Sequence, residues 1–228
     1  MKYEILLFDA DNTILDFDKS EEQALSRAFC DVGLEFSQNV LKTYRKNNVA
    51  QWELFELGKL TKPQVLINRF VLTFDELQLP SELARLTGDL YEEYLKLGFF
   101  VVPYAEEVLT TLQKQCKLYV VSNGVAAIQN SRMKGSGLEK YFLDRFVSET
   151  VGYPKPQLEY FNYCFAHIEN FDKSKTLIIG DSLTSDIQGG VNAGIDTCWF
   201  NPAHKQNNSS LSPTYEIDDL RSIMPLVV

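Results

Sequence analysis

Five short apolar runs punctuate the chain, each ending in polar or small residues: Glu4–Phe8, Lys117–Val121, Arg145–Ser148, Thr176–Ile179 and Thr197–Phe200. Tyr215–Ile217 is a candidate sixth. They are rich in Ile, Val, Leu and aromatics and too short for core helices, which marks them as strands buried on both faces. The stretches between them are long enough for crossover helices. The pattern therefore predicts an α/β fold, a parallel sheet with helices on both faces and right-handed connections.

The rhythm breaks once, between the first and second runs. That stretch carries helical periodicity throughout, with Ala24, Leu25, Ala28, Phe29 and Val32 spaced to line one face. Thr61 with Gln64 three residues on and Pro63 in the first turn is a capping-box signature, and further helix starts are expected after Ser37 and Ser81. We read residues 16–98 as a helical insert that leaves through Gly98–Pro103, with residues 1–15 and 99–228 forming the sheet domain. Asn201–Pro213, polar through Gln206–Ser210, is expected as a surface loop.

With 45% apolar residues in 228, the chain can bury a large core, and disorder is excluded. The formal charge of −9 removes any general attraction to nucleic acid or an anionic membrane. Only four consecutive apolar residues precede Asp9, too few for a signal segment or a span, so a cytoplasmic protein without membrane partners is expected. Cys30, Cys116, Cys164 and Cys198 lack the close spacing of metal or redox motifs and read as reduced structural thiols.

Chemistry concentrates where strands end. The first strand runs into Asp9-Ala10-Asp11-Asn12-Thr13, and period-two alternation starts Asp9 and Asp11 on the same side of the chain. Two carboxylates held together need a cation; the bland alternative is a solvated turn. The fourth strand ends in Gly180-Asp181-Ser182, with Asp186 five residues after Asp181. If the first and fourth strands flank the point where strand order reverses, Asp9, Asp11 and Asp181 converge as hard oxygen donors suited to Mg²⁺. For Asp181 and Asp186 the alternative is helix capping. The second strand ends in Ser122-Asn123-Gly124, whose hydroxyl, amide and N–H groups suit a phosphate, or form an ordinary turn. Lys155 lies between Pro154 and Pro156, which stiffen its loop; it is either a surface lysine or a fixed positive charge for a carboxylate and a phosphate.

In this order, the signals Asp-x-Asp-x-Thr, Ser-Asn, Lys-Pro and Gly-Asp-Ser-x-x-x-x-Asp resemble the haloacid dehalogenase superfamily of phosphohydrolases. The resemblance covers the segments on both sides of the insert. It implies a three-layer Rossmann-like core with a helical cap inserted between the first and second motifs. It further implies Asp9 as nucleophile, Asp11 as general acid and base, and Ser122 and Lys155 as phosphoryl-binding groups, with Thr13, Asn123 and Gly124 as further substrate contacts. Mg²⁺ would be held by Asp181, Asp9 and the Asp11 carbonyl, with Asp186 in support.

Within the superfamily, the chain is most similar to nucleotidases acting on pyrimidine nucleoside monophosphates. The similarity rests on Phe8–Thr13, Ser122–Gly124, Glu149–Pro156, Asn192-Ala193-Gly194 and Cys198-Trp199. Gln157 departs from it, standing where relatives often carry Asp or Asn. The expected partner is a small phosphate ester, a nucleoside monophosphate in particular, met by a monomer or homodimer. The loop after the first motif, with Phe17, and the insert around Trp52 and Phe55 would choose the leaving group. The alternatives are a phosphoglycolate or sugar-phosphate phosphatase or phosphomutase and, from another class, a phosphorylatable receiver, which would be shorter and lack the insert. Asp11 argues against a true dehalogenase.

Overall fold

The computed structural model describes residues 2–227. The chain divides into two compact units, Met1–Asp16 with Phe99–Val228, and Phe17–Gly98. The second unit is four helices, α1 (Phe17–Asp31), α2 (Gln38–Glu56), α3 (Lys62–Glu76) and α4 (Ala84–Leu95). Phe17, expected in a loop, instead opens α1, and Val32 lies one residue past its end. The start signals act locally: the Ser37 hydroxyl accepts the Val40 N–H at 3.3 Å, and Gln64 Oε1 accepts the Thr61 N–H at 2.8 Å. After Ser81 a single 3₁₀ turn, Ser81–Leu83, precedes α4.

Aromatic side chains fill the centre of this unit. Tyr44, Phe70 and Tyr91 are mutually in contact, with ring centroids 5.0 to 5.5 Å apart, and Phe29 lies 5.6 Å from Phe74. All five are buried, whereas Trp52 and Phe55 are half-buried and meet edge to face. Arg69 is also buried, over the Tyr91 ring and bonded to Asn48 and Glu92, so its charge is partnered inside the bundle.

The first unit is built on six parallel strands, β1 (Ile5–Asp9), β2 (Lys117–Ser122), β3 (Asp144–Val147), β4 (Thr176–Gly180), β5 (Asp196–Phe200) and β6 (Tyr215–Ile217), in the order β3-β2-β1-β4-β5-β6. The observed bounds differ from those read off the sequence by at most a residue at either end. Alternate side chains feed two cores: Leu6, Phe8, Leu118, Val120, Leu177 and Ile179 on one face, and Ile5, Leu7, Tyr119, Val121 and Ile178 on the other. The first face is covered by α5 (Ala105–Leu112) and α6 (Ala126–Ser136), the second by α7 (Ser148–Val151), α8 (Leu158–His167) and α9 (Gln188–Ala193). The fold is thus a three-layer parallel α/β sheet domain interrupted by a helical insert. Each fully buried aliphatic or aromatic side chain contributes about 1.5 to 3 kcal/mol, which explains why both faces of these strands read apolar.

Strand order reverses between β1 and β4, so their C-terminal ends border the crevice where ligands bind in such sheets. Beyond β1, Asn12 adopts a left-handed backbone (φ 58°), turning the chain sharply. It then pairs with the returning segment through a Leu15–Val101 bridge, with Asp16 N–H bonded to the Phe100 carbonyl at 3.0 Å. Cys116, Cys164 and Cys198 are buried, Cys30 is exposed, and all are free thiols. No helix among the described residues is long and apolar enough to cross a membrane.

The burial pattern separates structural aromatics from available ones. Phe70→Ala should cost about 3 to 5 kcal/mol in urea unfolding followed by circular dichroism, and Trp52→Ala about 1 kcal/mol or less. Equal losses would contradict the assignment of Phe70 to the core and of Trp52 to a half-buried position outside it.

Candidate active site

The site grows from the carboxyl ends of β1, β2 and β4. Asp9, the last residue of β1, is nearly buried, and its Oδ1 accepts from Lys155 Nζ at 2.7 Å. Lys155, 1% exposed, also donates to Asp186 Oδ1 at 2.6 Å and to the Val121 carbonyl at 3.0 Å. One ammonium thus links two carboxylates and a strand end, with all three of its donors engaged. Burial works against its charge, but Asp186 and Asp9 outweigh burial and hold the ammonium above its ordinary pKa.

The loop carrying Lys155 is held by Asn123. The Asn123 amide donates to the Lys155 carbonyl at 2.9 Å and accepts the Lys155 N–H at 2.8 Å. Both polar atoms of the Asn123 side-chain amide thus brace the loop of the lysine. The Ser122 hydroxyl accepts the Gly124 N–H at 3.0 Å, and Glu149 accepts the Ala126 N–H at 2.9 Å, so these helix-start donors already have partners. Thr13 is buried, with Oγ1 3.5 Å from Asp9 Oδ2.

Asp186 lies in a wide helical turn, Leu183–Ile187, with Oδ2 accepting the Ser182 N–H at 3.2 Å. A Cβ at Gly180 would overlap this carboxylate, so only glycine can end β4 here. Asp9, Asp181 and Asp186 each offer an oxygen within 4.8 Å of the others. Among the described residues, no hydrogen bond reaches the Asp181 carboxylate, while its backbone carbonyl accepts Trp199 Nε1–H at 2.9 Å. An oxygen-only set with one unengaged carboxylate fits a small, hard divalent cation.

Electrostatics point the same way. Burial pushes the Asp9 carboxyl well above the usual carboxylate range; Lys155 opposes the shift, and Asp186, Asp181 and Asp11 add to it. Burial, then Asp186, pushes Asp181 up to about 7, with Lys205 and Lys155 countering in part. The cluster holds more negative charge than one lysine neutralises.

The structure thus gathers Asp9, Asp11, Thr13, Ser122, Asn123, Gly124, Lys155, Asp181 and Asp186 within the sheet unit. Phe17 and Trp52 belong to α1 and α2 of the helical unit. Several contributors carried no motif. The Tyr160 hydroxyl accepts the Ser122 N–H at 3.0 Å and donates to the Phe146 carbonyl at 2.7 Å, joining the ends of β2 and β3. Gln129 Nε2 donates to Asp11 Oδ2 at 2.5 Å, and Arg132 forms an ion pair with Asp11 Oδ1.

A carboxylate with a raised native pKa contributes stability at acid pH that is lost as pH rises through that pKa. In chelator, the melting temperature should therefore fall between about pH 5 and about pH 8, and Asp181→Asn should flatten the slope. Adding a divalent cation should raise it more at pH 8 than at pH 5, because the ion displaces protons. A melting temperature that rises over this range in chelator would contradict the electrostatic picture.

The family model for haloacid dehalogenase-like hydrolases matches residues 6–200. The HAD-hydrolase YfnB of Bacillus subtilis is 42% identical over 222 residues, 97% of this chain and 94% of that protein. Its crystal structure bound to magnesium superposes with a TM-score of 0.94 at 41% identity, covering 100% of this chain and 99% of that one. The pyrimidine 5'-nucleotidase PynA of Streptococcus pneumoniae is 38% identical over 225 residues (98% of this chain, 94% of that protein). The pyrimidine 5'-nucleotidase YjjG of Escherichia coli is 30% identical over 230 residues (100% and 99%). With the strand-end carboxylates and the buried lysine in place, this chain belongs to the haloacid dehalogenase-like hydrolase family and is an enzyme, a hydrolase.

Proposed function

We propose that this hydrolase is a phosphoric monoester hydrolase that acts on pyrimidine nucleoside 5'-monophosphates with Mg²⁺. The observation that carries the reading is the buried Asp9 carboxylate, held by Lys155 at 2.7 Å and accompanied by a second carboxylate just past the strand end, Asp11. The pyrimidine nucleotidases among the relatives support the choice of leaving group.

Hydrolysis of a phosphate monoester requires lowering the barrier by about 20 kcal/mol or more, mostly through positioning and charge stabilisation. Lys155 orients Asp9 and offsets the repulsion between its carboxylate and a phosphate dianion. Asp9 attacks phosphorus in line; a carboxylate O–P bond forms, the ester P–O bond breaks, and Asp11 delivers a proton to the leaving oxygen. Asp11 then takes a proton from water, whose oxygen attacks phosphorus and releases Asp9 and inorganic phosphate. Ser122, whose N–H is held by Tyr160, binds the phosphoryl oxygens. Mg²⁺, which Asp9, Asp181 and the Asp11 carbonyl would hold with Asp186 in support, would supply Lewis-acid neutralisation of charge on those oxygens.

We assign selection among leaving groups to the helical unit as a cap domain. Its half-buried Trp52, 5.6 Å from Phe55, offers an aromatic face, and stacking contributes about 1 to 3 kcal/mol per base. Phe17 is a second candidate on the same unit.

The test is kcat/KM across UMP, dUMP, dTMP, AMP, phosphoglycolate and glucose phosphates. Pyrimidine nucleotides should lead, activity should vanish in chelator and return with Mg²⁺ but little with Ca²⁺, and Asp9→Asn should be inactive. Phosphoglycolate or a sugar phosphate exceeding every nucleotide by about tenfold would overturn the nucleotidase assignment. An active Asp9→Asn protein would overturn the mechanism.

A further inference from the structure

Asp11 is gripped from a helix distant in sequence. Gln129 and Arg132, one turn apart on α6, take one carboxylate oxygen each: Gln129 Nε2 donates to Oδ2 at 2.5 Å and Arg132 Nη1 pairs with Oδ1. Arg132 is completely buried, and Gln129 is 2% exposed. Both side chains give up solvation at a position where an ordinary helix surface would cost nothing.

Gln129 makes the point sharper. Among the described residues its Oε1 is buried without a hydrogen-bond partner, an unfavourable state for a carbonyl oxygen. The opposite amide orientation would set a carbonyl oxygen against the Asp11 carboxylate. The same amide lies against Gly124, where any Cβ would overlap Nε2. One side chain therefore joins the phosphate-binding turn to the Asp11 carboxylate. Beside Asp11 the backbone turns through the left-handed Asn12, so the local chain alone does not extend β1 to fix the side chain.

We propose that Gln129 and Arg132 are positioning residues, holding the Asp11 carboxylate in the orientation from which it exchanges a proton with the leaving oxygen and with water. The proposal rests on the acid–base role assigned to Asp11 above. A proton donor with two free side-chain torsions, 28% exposed, loses rate whenever it rotates away; clamping both oxygens removes that freedom before substrate arrives.

The test compares phenyl phosphate with p-nitrophenyl phosphate on the full chain with Mg²⁺. These differ in the acidity of the leaving phenol and involve no nucleotide, so the outcome is independent of substrate preference. kcat/KM includes only steps up to release of the phenol, where protonation matters for phenyl phosphate and little for its nitro analogue. Gln129→Met and Arg132→Met should each lower kcat/KM for phenyl phosphate about fivefold or more beyond any loss on the nitro ester. Arg132→Lys should recover part of that loss. In an Asp11→Asn background, neither methionine substitution should cost more than about a further factor of two, because residues acting through one group are not additive. If Arg132→Met does not fold, Gln129→Met decides alone. Equal losses on both esters, or additive losses in the Asp11→Asn background, would overturn the proposal while leaving the acid–base role standing. An Asp11→Asn enzyme as active as wild type on phenyl phosphate would remove both.

Discussion

Everything at the strand ends depends on one buried ammonium. Lys155 lies between Asp9 and Asp186, both buried, and without it those two carboxylates would face one another uncompensated. Removing one partner of a buried ion pair typically costs about 3 to 5 kcal/mol, because the other charge is stranded. The surroundings secure the lysine accordingly: the Asn123 amide fixes its backbone in both directions, and the Val121 carbonyl takes its third donor. Gly180 supplies the remaining condition by letting Asp186 come in close.

The sheet was legible because a strand buried on both faces must be apolar throughout; β1, β2 and β4 contribute to both cores, so their runs stand out. The candidate site groups were legible for a related reason, since several of them stand at or just past the end of such a run. Asp9, Ser122 and Asp181 therefore appeared at their places in the sequence before any contact was known. Helix starts marked by Ser37 and Thr61 were readable because a cap is a contact between near neighbours.

What escaped sequence reading depends on long-range contact. Gln129 and Arg132 are 118 and 121 residues from Asp11, and a polar pair one turn apart on a helix looks like a solvated face. Tyr160 has no motif, yet its hydroxyl joins two strand ends. Asn123 was visible as a polar group just past β2, but its bonds to the loop of Lys155, 32 residues on, were not. Identity and location come from local pattern; role comes from the partner that folding supplies.

The segment leaving β1 and the segment returning from the insert lie side by side, tied by the Leu15–Val101 bridge and by bonds from Asp16 to Phe100 and from Val102 to Ile14. The sheet unit thus closes its own chain at the base of the insert. In topological terms, residues 17–98 are one long excursion from a seam already sewn, so the order of strands and the convergence of Asp9, Lys155, Asp181 and Asp186 do not depend on what the excursion contains. Insertions, deletions or wholesale exchange beyond the seam leave the strand-end cluster in register. Such a chain can be remodelled by editing one contiguous stretch of its gene, while the strand-end carboxylates and the buried lysine stay where they are.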